Sequence, residues 1–326
     1  MEKAVHDNAG QQCRIEGTVA PGFESVRQLY EHNMRTLAEE STQLCIYVGD
    51  EKVVDLWATV TKDADFSPES LVNIFSSGKS FEAIAIASLV GKGLIQYNAR
   101  IAQYWPEFAA NGKGELTVAE LMRHEAGLPA FNRSLDTEAL LTENIKQNRV
   151  GQFIEGHAQT FRQGEGNRRE YHAVTRGWIV NELFRRVDPS GRTIGEFLRE
   201  EISQPLEVDA IVGVKREELP RIKKVKPLGF WFQLRESLKP RFLKRRIERN
   251  IFQLIALVLR LIPAVRNASS RRAPAPFRGM KRIAFFNEPS VAMGETPSAN
   301  THSNARSLAK IAAMMAAGGK WAGREY

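Results

Sequence analysis

The feature that most constrains this sequence is an apolar helix with a polar entrance. Phe75-Ser76-Ser77-Gly78-Lys79-Ser80 leads directly into Phe81-Glu82-Ala83-Ile84-Ala85-Ile86-Ala87-Ser88-Leu89-Val90. Apolar residues at 81, 84, 85 and 89 recur at helical spacing, so one face of the segment has to be buried. Gly91 and Gly93 supply a stop signal. Ser76 and Lys79 sit three apart at the mouth of this helix, where such positions share a face. A serine hydroxyl is a weak nucleophile until a neighbour accepts its proton, and burial depresses a lysine's pKa.

The pair is not decisive alone. Ser307-Leu308-Ala309-Lys310 has the same spacing, in the middle of a helical pattern from Ala305 to Ala317. With no glycine beside it and no break before it, it reads as an ordinary solvent-edge pair. The plain reading of Ser76 and Lys79 is a capping serine with a surface lysine.

Composition is that of a globular chain, one large domain or two small ones, with a 43% hydrophobic share and room for a sizeable core. The formal charge of +8 is unevenly spread. From Arg221 to Arg282, 18 Lys and Arg face two acids, Glu236 and Glu248, so this stretch carries +16 and the remainder −8. Cys13 and Cys45 make no disulfide framework, and the six histidines show no metal-ligand spacing, so neither metal nor other cofactor is expected. The start, Met1 to Asp7, lacks the apolar core of a signal peptide, which points to a reducing, cytoplasmic setting. No run reaches the roughly 18–20 apolar residues that span a bilayer.

In order, residues 21–40 read as a turn and a helix with Val26, Leu29, Tyr30, Met34 and Leu37 on one side. Leu44–Val48 and Val53–Trp57, joined by Gly49-Asp50-Glu51-Lys52, read as a β-hairpin. A polar linker at 61–70 leads to the Ser76 helix. Thr117-Val118-Ala119-Glu120 and Thr193-Ile194-Gly195-Glu196 are capping boxes that open helices. Between them lie a helix-capable stretch at 136–160, a loop at Gly164-Glu165-Gly166-Asn167, and a helix from Ala173 to Val187 closed by Asp188-Pro189-Ser190-Gly191.

Four motifs in fixed order carry a family resemblance. They are the Ser76/Lys79 segment; Gly93-Leu94-Ile95 through Tyr104-Trp105-Pro106-Glu107-Phe108; Leu116 to Pro129, containing Arg123-His124-Glu125-Ala126-Gly127-Leu128; and Tyr171-His172-Ala173-Val174-Thr175-Arg176-Gly177-Trp178. Together they resemble the serine β-lactamase and penicillin-binding-protein superfamily, in particular its eukaryotic β-lactamase-like, esterase-like branch. The resemblance covers about residues 20–215 and 290–323. It implies an α+β fold, an α/β sandwich with an antiparallel sheet flanked by helices and a helical subdomain. The expected organisation is a β-lactamase-like domain over 1–220, a basic insert over 221–282, and a continuation of the domain over 283–326.

The resemblance also implies a serine acyl-transfer site. Ser76 would attack a carbonyl to form an acyl-enzyme, Lys79 would accept the proton or tune the charge, and Tyr171 would relay the proton to the leaving group. A tyrosine can act as a base only where nearby cations depress its pKa.

Two departures are expected to matter. Ala173 stands where many relatives carry an amide, which suits an esterase better than a β-lactam-recognising enzyme. No K-T-G or H-x-G triplet follows residue 190; Gly318-Gly319-Lys320 reads in the wrong order and His302-Ser303-Asn304 lacks the glycine. The reading is therefore of a C-terminally truncated chain without its late strands, its hairpin left as a two-stranded remnant. Losing one oxyanion donor costs about 10²–10³ in rate. The first expectation is a serine hydrolase for an ester or amide, weakened or silenced by the missing motif. The alternative is a non-catalytic β-lactamase-like scaffold or a membrane-surface protein.

The basic stretch holds Phe230-Trp231-Phe232, Lys239 to Arg246, and apolar residues at 247, 251, 254, 255, 258 and 261, interrupted by Arg260 and ended by Pro263. Three readings stand: a helical lid over the site, a surface for an anionic membrane, or a nucleic-acid contact. The last is disfavoured because no recognised binding motif accompanies the charge. Ser269 to Pro276 reads as a mobile linker. Substrate, oligomeric state and organelle are not specified.

Overall fold

A computed structural model describes residues 5–6, 12–60, 65–162, 169–268 and 273–326. The opening residues 1–4 and 7, the first part of the 61–70 linker, the loop at Gly164–Asn167 and Ser269–Arg272 lie outside the described residues. In chain order the elements are β1 (Val5–His6), β2 (Gln12–Val19), α1 (Glu24–Thr36), β3 (Ser41–Val48), β4 (Glu51–Thr59), β5 (Val72–Asn73), α2 (Lys79–Gly91), α3 (Val118–Met122), α4 (Thr142–Lys146) and α5 (Arg149–Glu155). They continue as α6 (Thr175–Val187), α7 (Ile194–Phe197), α8 (Gln204–Leu206), α9 (Phe230–Leu238), α10 (Ile251–Asn267), α11 (Pro289–Met293), β6 (His302–Ser303), α12 (Ala305–Ala316), β7 (Lys320–Trp321) and β8 (Arg324–Glu325). The chain divides into two compact units, one of residues 1–71, 226–265 and 303–326, the other of 72–225 and 266–302.

The first unit is built on an antiparallel sheet of order β1-β2-β4-β3. The expected two-stranded remnant is thereby corrected. Gln12–Val19 pairs along β4, from Arg14 opposite Thr59 to Val19 opposite Val54, and with Val5–His6 on its other edge turns the hairpin into a four-stranded sheet. Strand β4 is buried almost throughout, as a strand covered on both faces must be. Val54, Leu56 and Ala58 meet Met34, Tyr30 and other apolar residues of α1 and its approach. The opposite pleat carries Asp55 and Trp57, which meet Arg306 of α12: the guanidinium lies 3.0 Å from both carboxylate oxygens and 5.5 Å from the indole. Gly17 on β2 has φ +103, and a Cβ there would lie 1.9 Å from the Asp55 carbonyl oxygen, so only glycine lets the strands pair.

Helix α9 and the turn before α10 belong to the same unit. Buried Glu236 takes the Arg246 N–H at 3.0 Å and the Lys239 amine at 2.5 Å, and the Arg246 carbonyl accepts the Ala38 N–H at 2.9 Å. Helix α10 runs past Pro263 to Asn267, beyond the expected stop; proline withdraws one N–H from the ladder without ending it here. Ser307, read from the sequence as lying at the solvent edge, is only 4% exposed, its backbone N–H capped by the Asn304 side chain at 2.8 Å.

The second unit is mainly helical. Helix α6 is buried from Thr175 through Phe184 and forms its axis. Trp105, Phe108, Phe81, Leu89, Trp178 and Phe184 fill the core. Both capping boxes form as their sequences dictate, at Thr117/Glu120 and Thr193/Glu196. Ala275 and Pro276, read as part of a mobile linker, are tied down: their carbonyls accept the Ser134 hydroxyl at 2.6 Å and the Leu135 N–H at 2.9 Å.

Candidate active site

Ser76 lies in a single 3-10 turn, Phe75–Gly78, that runs into α2 at Lys79. The turn is forced. Phe75 has φ +46, an unusual conformation for a side chain of that size, and is held by the Asn73 carboxamide oxygen on its N–H at 2.7 Å and by edge contact with Phe286. Gly78 backs onto the 297–301 segment: a Cβ would meet the Pro297 carbonyl oxygen at 2.3 Å. Together they leave the Ser76 side chain exposed above a buried Lys79.

The Lys79 side chain, 9% exposed, has three partners. Its Nζ donates to the Ala173 carbonyl at 2.7 Å, to the Ser298 carbonyl at 3.0 Å, and to Ser76 Oγ at 3.3 Å. Two directions are taken by carbonyls, which only accept. The remaining direction of the amine points at Ser76, as a proton in the ammonium form and as a lone pair in the neutral form. Burial is the main cause that pulls the Lys79 pKa below its ordinary value, opposed by Tyr171 and Glu82.

Tyr171 Oη donates to Ser76 Oγ at 2.7 Å. The Lys79 amine lies 4.8 Å from the centre of its ring. Partial burial would raise the phenol's pKa, but the hydrogen bond with Ser76 and the charges of Lys79 and Arg176 outweigh it, and the net shift is downward. The three candidates from the sequence, Ser76, Lys79 and Tyr171, thus come together around one hydroxyl.

Tyr171 is held from behind. His172 is fully buried; its Nε2 accepts the Leu128 N–H at 2.9 Å and its Nδ1 lies 2.6 Å from the Glu170 carbonyl, which fixes the proton on Nδ1. The Tyr171 ring rests on His124, with centroids 4.8 Å apart. His124 has φ +63, and its Nδ1 accepts the His172 N–H at 3.0 Å. Burial, with Arg176 next in effect, pushes the His124 pKa down to about 3, so this ring stays neutral.

A buried ion pair underlies the whole arrangement. Arg176 Nε donates to Glu82 Oε2 at 2.8 Å, and its other nitrogens reach the Met122 carbonyl at 3.0 Å and the Lys79 carbonyl at 3.3 Å. Glu82 Oε1 accepts the Ser298 hydroxyl at 2.5 Å, which orients the residue whose carbonyl holds Lys79. Glu82, Arg176, His124 and Ser298 were not singled out from the sequence as site residues. The signal for Glu82 was present, a lone carboxylate within an apolar helix. Ser298 acts through its backbone, which leaves none. Among the described residues no group of three or more His, Cys, Asp or Glu could hold a metal ion.

Comparison with known proteins places the chain in a family. The family model described as Beta-lactamase matches residues 26–324. The chain belongs to this family. The esterase/beta-lactamase LipL of Mycobacterium tuberculosis is 28% identical over 327 residues, spanning 97% of this chain and 67% of LipL. A penicillin-binding-protein homologue from Caulobacter crescentus superposes with a TM-score of 0.72 at 29% identity, covering 95% of this chain and 74% of the homologue. A family VIII carboxylesterase gives a TM-score of 0.72 at 27% identity, with 95% and 73% covered. The α+β β-lactamase fold and membership of a serine-hydrolase superfamily follow.

Proposed function

We propose that this beta-lactamase family member is a serine hydrolase that cleaves a small ester or amide through an acyl-enzyme on Ser76. The observation that carries the reading is the exposed Ser76 hydroxyl set between the Tyr171 phenol at 2.7 Å and the Lys79 amine at 3.3 Å. Ser76 Oγ attacks the substrate carbonyl while its proton passes to the Tyr171–Lys79 pair. The tetrahedral intermediate collapses, the carbonyl carbon–leaving group bond breaks, and Tyr171 returns the proton to the departing alcohol or amine. Water then takes the place of the leaving group, gives its proton to the same pair, and releases the acid and Ser76.

An ester is favoured over a β-lactam. Ala173 presents a methyl group where an amide would recognise a lactam, while its carbonyl is already engaged by Lys79. The relative described as a family VIII carboxylesterase supports the same preference.

The test is labelling with a fluorophosphonate probe alongside hydrolysis of p-nitrophenyl acetate and of a chromogenic cephalosporin. Ser76 should be labelled, the ester turned over and the cephalosporin spared. Labelling that persists in Ser76→Ala sinks the assignment. A folded protein that neither labels nor hydrolyses supports the non-catalytic scaffold.

A further inference from the structure

The α9–α10 region of the first unit displays an exposed surface that is both apolar and cationic. Phe230 and Trp231 open α9, and Trp231 is 78% exposed. The 3-10 turn Arg241–Leu243 carries Phe242 at its tip, 83% exposed, with Leu243 beside it. Phe252, 77% exposed, begins a row along α10 that continues through Ile255, Leu259 and Ile262 at helical spacing. An apolar groove of about 500 Å³ runs between the two helices, lined by Phe230, Leu234, Leu254, Ile255, Val258 and Leu259 among others.

Cations frame these residues. Over 226–265 there are nine Lys and Arg against Glu236 and Glu248, a net of +7. Glu236 is buried and saturated by Lys239, Arg235 and the Arg246 N–H, so it offers no charge to the outside. Arg241 and Lys244 flank Phe242 and Leu243, and no acidic partner is found for either among the described residues. The region is not a loose arm, since Arg246 and Glu236 tie it to the end of α1 through Ala38 and Leu37.

We propose that the α9–α10 region docks onto the anionic surface of a lipid bilayer. Such a surface takes apolar side chains and cations together, with Phe242, Leu243, Trp231 and the outer row of α10 at the acyl boundary and Arg241, Lys244, Arg249 and Arg260 at the headgroups. Charge decides against the competing occupants. A second copy of the same face would bring +7 against +7. A nucleic acid would neutralise the cations but leave Leu, Ile and Val side chains unburied. No described helix is long and apolar enough to cross a membrane, so the contact lies on the surface.

The experiment uses the full chain with two sets of vesicles, phosphatidylcholine alone and phosphatidylcholine with about a third phosphatidylserine. Co-sedimentation is expected only with the anionic set and should fall steeply at about 0.5 M NaCl, where charge attraction is screened. Arg241→Ala with Lys244→Ala should weaken binding roughly 30-fold, about fivefold per cation. Phe242→Ser with Leu243→Ser should also abolish it while circular dichroism stays unchanged, because these side chains are exposed. Equal pelleting with neutral vesicles, no pelleting with either, or binding indifferent to both pairs of substitutions overturns the proposal. So does a lipid-free dimer, detected by sedimentation velocity, that Phe242→Ser dissolves, which would make this face a self-interface.

Discussion

The phenolic oxygen of Tyr171 lies 2.7 Å from the hydroxyl oxygen of Ser76 although 95 residues separate them in the chain. Tyr171→Phe keeps the ring against His124 and removes only the proton path. Hydrolysis of p-nitrophenyl acetate should fall by about 10²–10⁴ in kcat with little change in KM. Both Lys79 and Tyr171 have pKa values below their ordinary range, and the proposed acyl transfer needs the deprotonated form of the pair. The rate should therefore rise with pH and level off below the ordinary range of a tyrosine or lysine. Retention of near-normal kcat in Tyr171→Phe would remove the phenol from the mechanism.

Lys79→Arg is predicted to be as damaging as Lys79→Met. A guanidinium keeps the charge, but it carries no lone pair to offer Ser76 and its planar fork does not match two carbonyls and a hydroxyl around one nitrogen. Probe labelling rates for the two variants should agree within about threefold and lie roughly 10²–10⁴ below the parent.

Glu82→Gln leaves the Arg176 charge buried without its partner. A loss of roughly 3–5 kcal/mol in urea unfolding is expected. Glu82→Leu with Arg176→Met should recover most of that stability yet not the activity, since Arg176 also fixes the Lys79 and Met122 carbonyls. Measuring both quantities in the double variant separates scaffold from site.

Gly78→Ala tests the close approach beneath Ser76. Its Cβ would meet the Pro297 carbonyl oxygen at 2.3 Å and Thr301 Oγ1 at 2.2 Å, so the turn has to shift. A destabilisation of about 1–3 kcal/mol should accompany a loss of activity far larger than stability alone explains.

Glu295 is fully buried and accepts from Thr142, Thr193, Asn181 and the Gly195 N–H. Burial raises its pKa above the ordinary 4.5, against those hydrogen bonds. A carboxyl with a raised folded pKa adds stability below its unfolded value, and that contribution is lost as pH climbs to the folded value. Glu295→Gln should flatten this fall in a series of melting curves from acid to neutral pH. The fold should survive the change, because the threonine hydroxyls can turn to accept from the new amide.

How far the sequence disclosed the site depended on distance along the chain. Ser76 and Lys79 were legible because three residues on a helix share a face, and the apolar run behind them announced burial. Tyr171 came only from the order of family motifs, since no periodicity joins positions 76 and 171. The carbonyls of Ala173 and Ser298 gave no signal, because any residue supplies one. In the fold, the strand Gln12–Val19 is hard to read from sequence although Cys13, Ile15 and Val19 alternate with polar residues, because Gly17 interrupts the pattern where the strand comes nearest to Asp55. Ser307 reads as a surface residue in the sequence because small residues throughout α12 blur which side faces inward.

The grip of Arg306 on Asp55 spans 251 residues. During synthesis the early strands leave the ribosome with the Asp55–Trp57 side of the sheet bare, because the helix that shields it follows 251 residues later. Loop closure over so great a length is slow, and exposed strands invite wrong partners in the meantime. Until that helix is made, one side of the sheet has no cover from Arg306 and its neighbours.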